Sequence, residues 1–505
     1  MSWLRGLARL LFLLVVLWFV GRLVFAVPGT DGRPPETALP FDPTTAYGPA
    51  AVEAATAHAG QSGVAPLGDP HAALQSRISL ANRAERSIDA MYYIWHDDIS
   101  GNLLLDALRR AAERGVRVRL LLDDNGITGM DQTLAALNAM PNFSVRLFNP
   151  ATVRQPKALG YLLYPLRMNR RMHNKAFVVD GAAVIVGGRN IGDEYFATGD
   201  APAYLDLDVL GVGKVVSDTA AIFDEYWNAV PVLRLEQVIG GNGDLVHFTA
   251  AVRQAQAAQP EHPVPNPAER LGQGQLALEW TDVRVVADDP AKGMGGATRD
   301  QLMITRLGKI LGGVDARLDL VSAYFVPGQA GTRFFTGLAR QGKEVRILTN
   351  SWQATDVPMV HAGYVKYRRE LLEAGVTLYE LRPAGAIPQG RQELHHFGAS
   401  GASLHAKTFW ADDARVFIGS FNFDPRSALL NCEMGFLIES PTIATAADRT
   451  MTDELAARSY RPMLQGHDMV WQDTGGAVLD HEPGLGTMDR IKVYILNVLP
   501  IEWLL

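Results

Sequence analysis

HNKAFVVDGAAVIVGGRN, residues 173–190, and HAKTFWADDARVFIGSFN, residues 405–422, follow one pattern. Each runs His, any residue, Lys, four residues, Asp, six residues, then Gly, Gly or Ser, any residue and Asn. Two such matches in one chain are not a chance event. In the first copy, apolar runs on both sides of Asp180-Gly181 predict a hairpin with an Asp-Gly turn. His173 and Lys175 stand two apart at its entry, which puts both side chains on one face of a strand.

The repeat extends beyond the motif. Before the first copy, strands are expected at Ser87–Trp95, Val116–Leu122 and Val145–Phe148, with helices at His71–Ala84 and Gly101–Arg114. The order strand, helix, strand restarts at Arg317–Tyr324, Thr332–Arg340, Glu344–Thr349 and Val376–Leu381. The first strands are 230 residues apart (88 to 318) and the histidines 232 (173 to 405), so a whole domain is duplicated. The expected class is α/β. It has two duplicated domains, each a mixed, mostly parallel sheet flanked by helices, with the active site at a pseudo-twofold interface.

The chain divides accordingly into 71–240, a first domain; 241–300, a crossing segment with one strand near Val283–Ala287; and 301–460, a second domain. Residues 461–505 form a tail ending in an apolar run, IKVYILNVLPIEWLL, that either packs on the domain or lies in a lipid interface. Residues 29–70, rich in Pro, Gly, Ala and Thr, read as a linker. Residues 1–28 carry Arg5 and Arg9 before an apolar run from Leu10 to Val27, interrupted by Arg22. Its eighteen residues just suffice for a membrane anchor. The positive-inside rule then places the domains on the far side of the membrane. A cleaved signal peptide, with Val24-Phe25-Ala26 as the cleavage site, is the other reading.

Of 505 residues, 48% are apolar and 20% charged, and the net charge is −7, which argues against a non-specific nucleic-acid binder. The lone Cys432 excludes an intrachain disulfide or a multi-cysteine metal site.

The doubled motif suits phosphoryl chemistry. One imidazole can attack phosphorus and a second can move the proton. Lys175, Lys407, Asn190 and Asn422 can hold the phosphate oxygens, with Ser420 as a further donor. Asp180 and Asp412 complete the motif's catalytic set with His173, Lys175, His405 and Lys407, but each starts a turn, so their expected work is to hold the motif. A nucleophilic histidine also needs a carboxylate on its other nitrogen. Asp206 lies 33 residues after His173 and Glu433 28 after His405, so each half is expected to supply its own orienting group; Asp208 is an alternative. His96, His361, His395 and His396 read as structural, the last two also as cleft-edge candidates.

At these residues the sequence resembles the phospholipase D superfamily and, within it, the bacterial cardiolipin synthases of the C-type. YYIWHDDISG (92–101), RRMHNKAFVVDG (170–181), LDLDVL (205–210), DDPAKG (288–293), IGSFNFDPRSALLNCEMGF (418–436) and LPIEWLL (499–505) carry the likeness. The resemblance implies two similar domains with the site between them and neither metal nor cofactor. His173 is then the nucleophile and His405 the general acid and base. It implies phosphatidyl transfer through a phosphohistidine, with phosphatidylglycerol as acceptor and phosphatidylethanolamine or phosphatidylglycerol as donor. The expected location is the bacterial inner membrane, with the catalytic domains on the periplasmic side. Phospholipase D hydrolysis and a nuclease remain the alternatives on the motif alone. The residues do not indicate an oligomeric state.

Overall fold

The computed structural model describes residues 2–199, 203–258, 265–311, 313–383, 403–498 and 502–504. Among the described residues, two large sheets lie side by side. The first has nine strands, in the order Glu279–Thr281, Ser62–Leu67, Asp208–Gly213, Ala183–Gly187, Ala176–Val179, Ser87–Ile94, Arg117–Gly126, Phe143–Phe148 and Val232–Arg234. The second has ten, in the order Val283–Ala287, Met434–Glu439, Arg415–Gly419, Lys407–Ala411, Arg317–Ser322, Glu344–Asn350, Thr377–Leu381, Ser459–Gln465, Asp468–Gln472 and Val478–Leu479. From the fourth strand of the first sheet and the third of the second, the next five elements correspond one to one, as the repeat requires.

The expected bias toward parallel pairing is corrected. Only three adjacent strands in each sheet run parallel among the described residues: Ser87–Ile94, Arg117–Gly126 and Phe143–Phe148, and their counterparts in the second half. The motif hairpins and the outer strands are antiparallel. Strand–helix–strand order reports the pairs that a helix connects, and the motif enters each sheet by hairpin instead.

Local signals explain the helices around these strands. Asp69 accepts from the Ala72 amide and Pro70 opens the helix Pro70–Arg83. Asp98 does the same for Ile99–Glu113 through the Gly101 amide. Within that helix Leu104, Leu105, Leu108 and Ala111 are buried on the sheet.

The segment 29–70 is not a free linker. It is a strap that ends in a sheet strand, Ser62–Leu67. Arg33 donates to the Val232 and Asn228 carbonyls at 2.7 and 2.8 Å, the Trp227 indole donates to Glu36 at 3.1 Å, and Arg117 donates to the Thr37 carbonyl at 2.9 Å. The crossing segment also holds more structure than expected. It contains the helices Val246–Ala257 and Pro267–Gly272. It then gives Glu279–Thr281 to the first sheet and Val283–Ala287 to the second, so the chain changes sheets at Asp282. The tail extends the second sheet by the strands from Ser459 to Leu479 and then forms the helix Thr487–Val498.

The halves share a core. Met91, Val184, Phe223 and Trp227 from the first pack in one buried cluster with Val321, Trp410, Ile418 and Phe436 from the second. Full burial of one such side chain stabilises by about 1.5–3 kcal/mol, so the two halves hold each other in a fixed relation. Among the described residues, one helix is long and apolar enough to cross a membrane: Trp3–Val24, mean hydropathy 2.2, with none of its most apolar stretch buried.

Candidate active site

The two motifs meet where the sheets adjoin, at the carboxyl ends of the parallel strands. His173 precedes strand Ala176–Val179, whose Ala176 pairs with Met91 near the end of Ser87–Ile94. His405 and Lys407 stand in the same relation to Arg317–Ser322. At the far end of each hairpin sit Asp180 and Asp412. Both central turn residues have positive φ: 53° and 63° for Asp180 and Gly181, 55° and 51° for Asp412 and Asp413. The Asp180 carboxylate accepts from the Glu85, Arg86 and Ser87 amides, and that of Asp412 from the Asp315, Ala316 and Arg317 amides. They secure the start of the neighbouring strand, a strand's length from the histidines, and so are structural members of the motif.

The carboxylates reach the histidines, but crossed. His173 Nδ1 donates to Glu433 Oε2 at 2.8 Å, and His405 Nδ1 to Asp206 Oδ2 at 2.5 Å. The within-half pairing expected from chain order is therefore corrected. The backbone shows why. The His173 amide donates to the Cys432 carbonyl at 2.8 Å, and the Cys432 amide to the Arg171 carbonyl at 2.8 Å. The His405 amide donates to the Leu205 carbonyl at 2.8 Å, and Tyr204–Leu205 pairs with Ser403–Leu404. Each motif is thus stitched to the residue just before the other half's carboxylate. This pairing leaves a two-residue strand, Tyr204–Leu205, separated by Asp206–Leu207 from the strand Asp208–Gly213.

Surrounding groups hold each carboxylate. Glu433 accepts from Ser420 Oγ at 2.5 Å and Ser427 Oγ at 2.9 Å, and its amide donates to Asp288 at 2.9 Å. Lys292 links Asp288 to the Ser427 carbonyl, each at 2.8 Å. Ser420, expected on the phosphate, is instead a buried support of Glu433, because its hydroxyl proton goes to that carboxylate. The first half has Gly188 at this position. A Cβ there would lie 2.1 Å from Asp206 Oδ1, so the space of the serine is taken by the carboxylate, which accepts from the Leu207 amide at 2.8 Å. Glycine with Asp206 and serine with Glu433 are matched pairs. Asp208 does not reach a histidine: Arg77 at 2.8 Å and Arg189 at 3.3 Å hold it.

Both lysines are buried beside the histidines. Lys175 Nζ donates to the His173 carbonyl at 2.6 Å, and Lys407 Nζ lies 3.0 Å from His405 Nε2. His173 Nε2 makes no hydrogen bond among the described residues. Asn190 Oδ1 accepts from the Ile94 amide at 3.2 Å and its amide nitrogen donates to the Tyr195 hydroxyl at 3.0 Å. Asn422 Oδ1 faces the equivalent Tyr324 amide at 3.4 Å. Aromatic rings that the motif did not reveal complete the walls. Tyr93 is edge-on to His173 at 5.0 Å; Tyr195 is edge-on to His405 at 5.1 Å and Tyr204 stacks on it at 5.3 Å. YYIW lies in an expected strand, and nothing in a strand pattern says that its aromatic faces a catalytic group.

Burial sets the protonation states. It pushes the conjugate acid of His173 down to about 4, against the pull of Glu433 and with the help of Lys175 and Lys407. Burial also lowers His405, aided by Lys407 and opposed by Asp206. It takes Lys407 down to about 8, opposed by Asp206 and Glu433, and moves Lys175 well down. The arrangement thus offers a neutral, oriented imidazole on each side of a lysine pair whose charge an incoming anion would favour.

The other histidines lie elsewhere. His96 Nδ1 sits 3.3 Å from Glu194, and buried His361 is 2.5 Å from Glu482. His395 and His396 fall outside the described residues.

A family profile described as "Cardiolipin synthase, PLD-like domain" matches residues 78–227 and 311–454. The sequence is 44% identical to cardiolipin synthase C of Escherichia coli over 89% of this chain and 97% of that protein. It is 27% identical to cardiolipin synthase B of Salmonella typhimurium over 74% of each. A crystal structure of phosphatidylserine synthase from Haemophilus influenzae superposes with a TM-score of 0.58 at 15% identity, covering 90% of this chain and all of that one, a likeness of fold.

Proposed function

We infer the reaction from one premise: the chain belongs to the cardiolipin synthase family of phospholipase D-like proteins. It is a phosphatidyltransferase that makes cardiolipin from phospholipids. The observation that carries the mechanism is the pair of crossed histidine–carboxylate contacts flanking two buried lysines.

The donor's phosphodiester binds between Lys175 and Lys407, with Asn190 and Asn422 beside them. His173 keeps its Nδ1 proton on Glu433, which leaves the Nε2 lone pair for phosphorus. With the anionic phosphodiester in place His405 takes up a proton from solvent, its imidazolium favoured by Asp206. Nε2–P then forms, the bond from phosphorus to the headgroup oxygen breaks, and the His405 imidazolium gives that oxygen its proton. A hydroxyl of phosphatidylglycerol then gives a proton to His405 and attacks the phosphatidyl-histidine, which frees His173 and yields cardiolipin. The headgroup alcohol of the donor, ethanolamine or glycerol, is the other product. His173 suits the nucleophile because its Nε2 is unengaged, whereas Lys407 Nζ lies against the His405 ring, 2.8 Å from Nδ1 and 3.0 Å from Nε2. The lysines stabilise the charge that accumulates on the phosphate oxygens. The N-terminal helix fits an anchor in the inner membrane. Arg5 and Arg9 at its start favour domains on the periplasmic side. No role for nucleic acid is part of this reading.

The test uses purified full-length protein, vesicles with labelled phosphatidylglycerol, and the same vesicles with phosphatidylethanolamine added. Labelled cardiolipin is the expected product, and release of ethanolamine identifies the second donor. Phosphatidic acid without cardiolipin would mean water is the acceptor and would overturn the reading.

The pH profile follows from the same groups. In the free site the nucleophile is lost when His173 gains a proton, near pH 4; on the alkaline side His405, held below the ordinary histidine value by burial, loses the proton it must give, and the phosphate clamp weakens further as Lys407 loses one, near pH 8. A plot of kcat/KM against pH should therefore be bell-shaped between these limits. Lys407→Arg should carry the alkaline limb upward, because a guanidinium keeps its charge. An acid limb at the ordinary histidine value would show that His173 is not desolvated as described.

A further inference from the structure

Large apolar side chains are exposed at one end of the catalytic body, the end that carries the site. The connection from strand Phe143–Phe148 to strand Ala176–Val179 leaves and returns at that end. It folds into the short helices Ala158–Leu163 and Pro165–Met168, which bury Gly160, Leu163 and Met168 but leave Leu162 and Leu166 64% and 66% exposed. At the same end stand Met359 at the start of helix Pro358–Glu373, Leu429 at the close of helix Pro425–Leu429, and Trp503, 52% exposed. Arg426 joins these parts. Its guanidinium donates to the Leu504 carbonyl at 2.8 Å and to the Asn169 carbonyl at 3.1 Å, and Asn169 is four residues from His173.

Single exposed leucines need no explanation. A group of them beside an active site, with an apolar helix seated against it, does. The helix Ser2–Val24 rests its last turns on this same connection. The Trp18 indole donates to the Leu162 carbonyl at 3.1 Å, and the Tyr164 hydroxyl donates to the Arg22 and Phe25 carbonyls at 3.1 and 3.2 Å. The Arg22 guanidinium lies 4.8 Å from the centre of each of the Trp18 and Tyr164 rings. Trp, Tyr and Arg are the side chains that settle at a membrane–water boundary, so the boundary marked by the helix falls level with Leu162 and Leu166.

We propose that Leu159, Leu162, Leu166, Met359, Leu429 and Trp503 form a rim that sits in the lipid interface, so that the bilayer surface covers the mouth of the catalytic cleft. The occupant is a phospholipid surface, because the rim is continuous with the helix Trp3–Val24, which is long and apolar enough to enter a membrane. The inference rests on the lipid reading of the reaction. It adds that a headgroup phosphate reaches His173 while its acyl chains stay in the bilayer, and that water enters least when a lipid is bound.

Cys432 is buried, so single cysteines introduced at the surface can be labelled selectively. Full-length Leu162→Cys, Leu429→Cys and Trp503→Cys, each carrying an environment-sensitive fluorophore, would be placed in vesicles of phosphatidylglycerol and phosphatidylethanolamine containing spin-labelled phosphatidylcholine. Glu113→Cys, at the opposite end of helix Ile99–Glu113 from the site, is the reference. Lipid quenching at the three rim positions and none at Glu113→Cys is the expected result. Equal quenching at all four, or none at the rim, overturns the proposal. A fluorescence shift that follows protein concentration without lipid quenching assigns the rim to a second copy of this chain and also overturns it. In kinetics, Leu162→Glu with Leu166→Glu should lower kcat/KM on vesicles about tenfold or more and leave turnover of short-chain, monomeric lipid unchanged. Equal losses on both substrates contradict a rim role. Quenching is read without turnover, so a chain that makes no cardiolipin still reports on its rim.

Discussion

His173→Ala abolishes phosphatidyl transfer, a loss of about 10⁴-fold or more, the scale seen when a covalent nucleophile is removed. The same substitution removes any covalent phosphatidyl-enzyme. The informative partner is His405→Ala, assayed with a donor whose headgroup is a good leaving group, such as a nitrophenol. That donor needs no proton on its leaving oxygen, so His405→Ala should still form the covalent intermediate and then fail to pass it on. The intermediate would be trapped by acid quench and detected on the digested peptide containing residue 173. If His173→Ala forms the intermediate and His405→Ala does not, the two histidines have exchanged roles.

Glu433→Gln lowers turnover by about 10³–10⁴-fold, as loss of the carboxylate behind a catalytic imidazole does elsewhere. It acts through His173, 260 positions away in the chain. An amide in place of the carboxylate no longer accepts the Nδ1 proton in the same way, and the imidazole loses its tautomer and its aim. With the activated donor, Glu433→Gln should fail to form the covalent intermediate, whereas Asp206→Asn should form it and stall, copying His405→Ala. The reverse pattern would mean that each carboxylate serves the histidine of its own half. Double substitution of His173 and Glu433 should cost no more than His173→Ala alone, because the pair acts as one unit.

Much of this was legible before any coordinates. The motif could be read because its side chains are chemically specific and its spacing strict, and the offset of 230–232 residues made the duplication plain. Asp206 and Glu433 could be picked out as carboxylates 33 and 28 residues after the motif histidines. Which histidine each serves could not, since that depends on Cys432 and Leu205 lying against the opposite motif, a contact between distant stretches. Ser420 departs from its expected place for a related reason: a hydroxyl beside a phosphate and one beside a carboxylate look the same in sequence. The strap from Arg33 to Pro40 escaped notice because its bonds are made with Asp224, Asn228 and Arg117, far along the chain, and it has no periodicity of its own. The preference for parallel pairing followed from the connecting helices and missed the hairpins, which add antiparallel neighbours without a helix.

The crossed contacts bear on how such a chain could arise. A polypeptide with one copy of the repeat holds a histidine and a carboxylate that cannot reach each other. It could assemble a working centre only as a symmetric homodimer, and dilution would inactivate it. Covalent fusion makes the encounter intramolecular and independent of concentration. It also releases the copies from identity. In a homodimer every substitution appears twice, so glycine with aspartate on one side and serine with glutamate on the other could not coexist. Gly188 with Asp206 and Ser420 with Glu433 are therefore a mark of divergence after fusion, and each matched pair should tolerate exchange only when both members are swapped together.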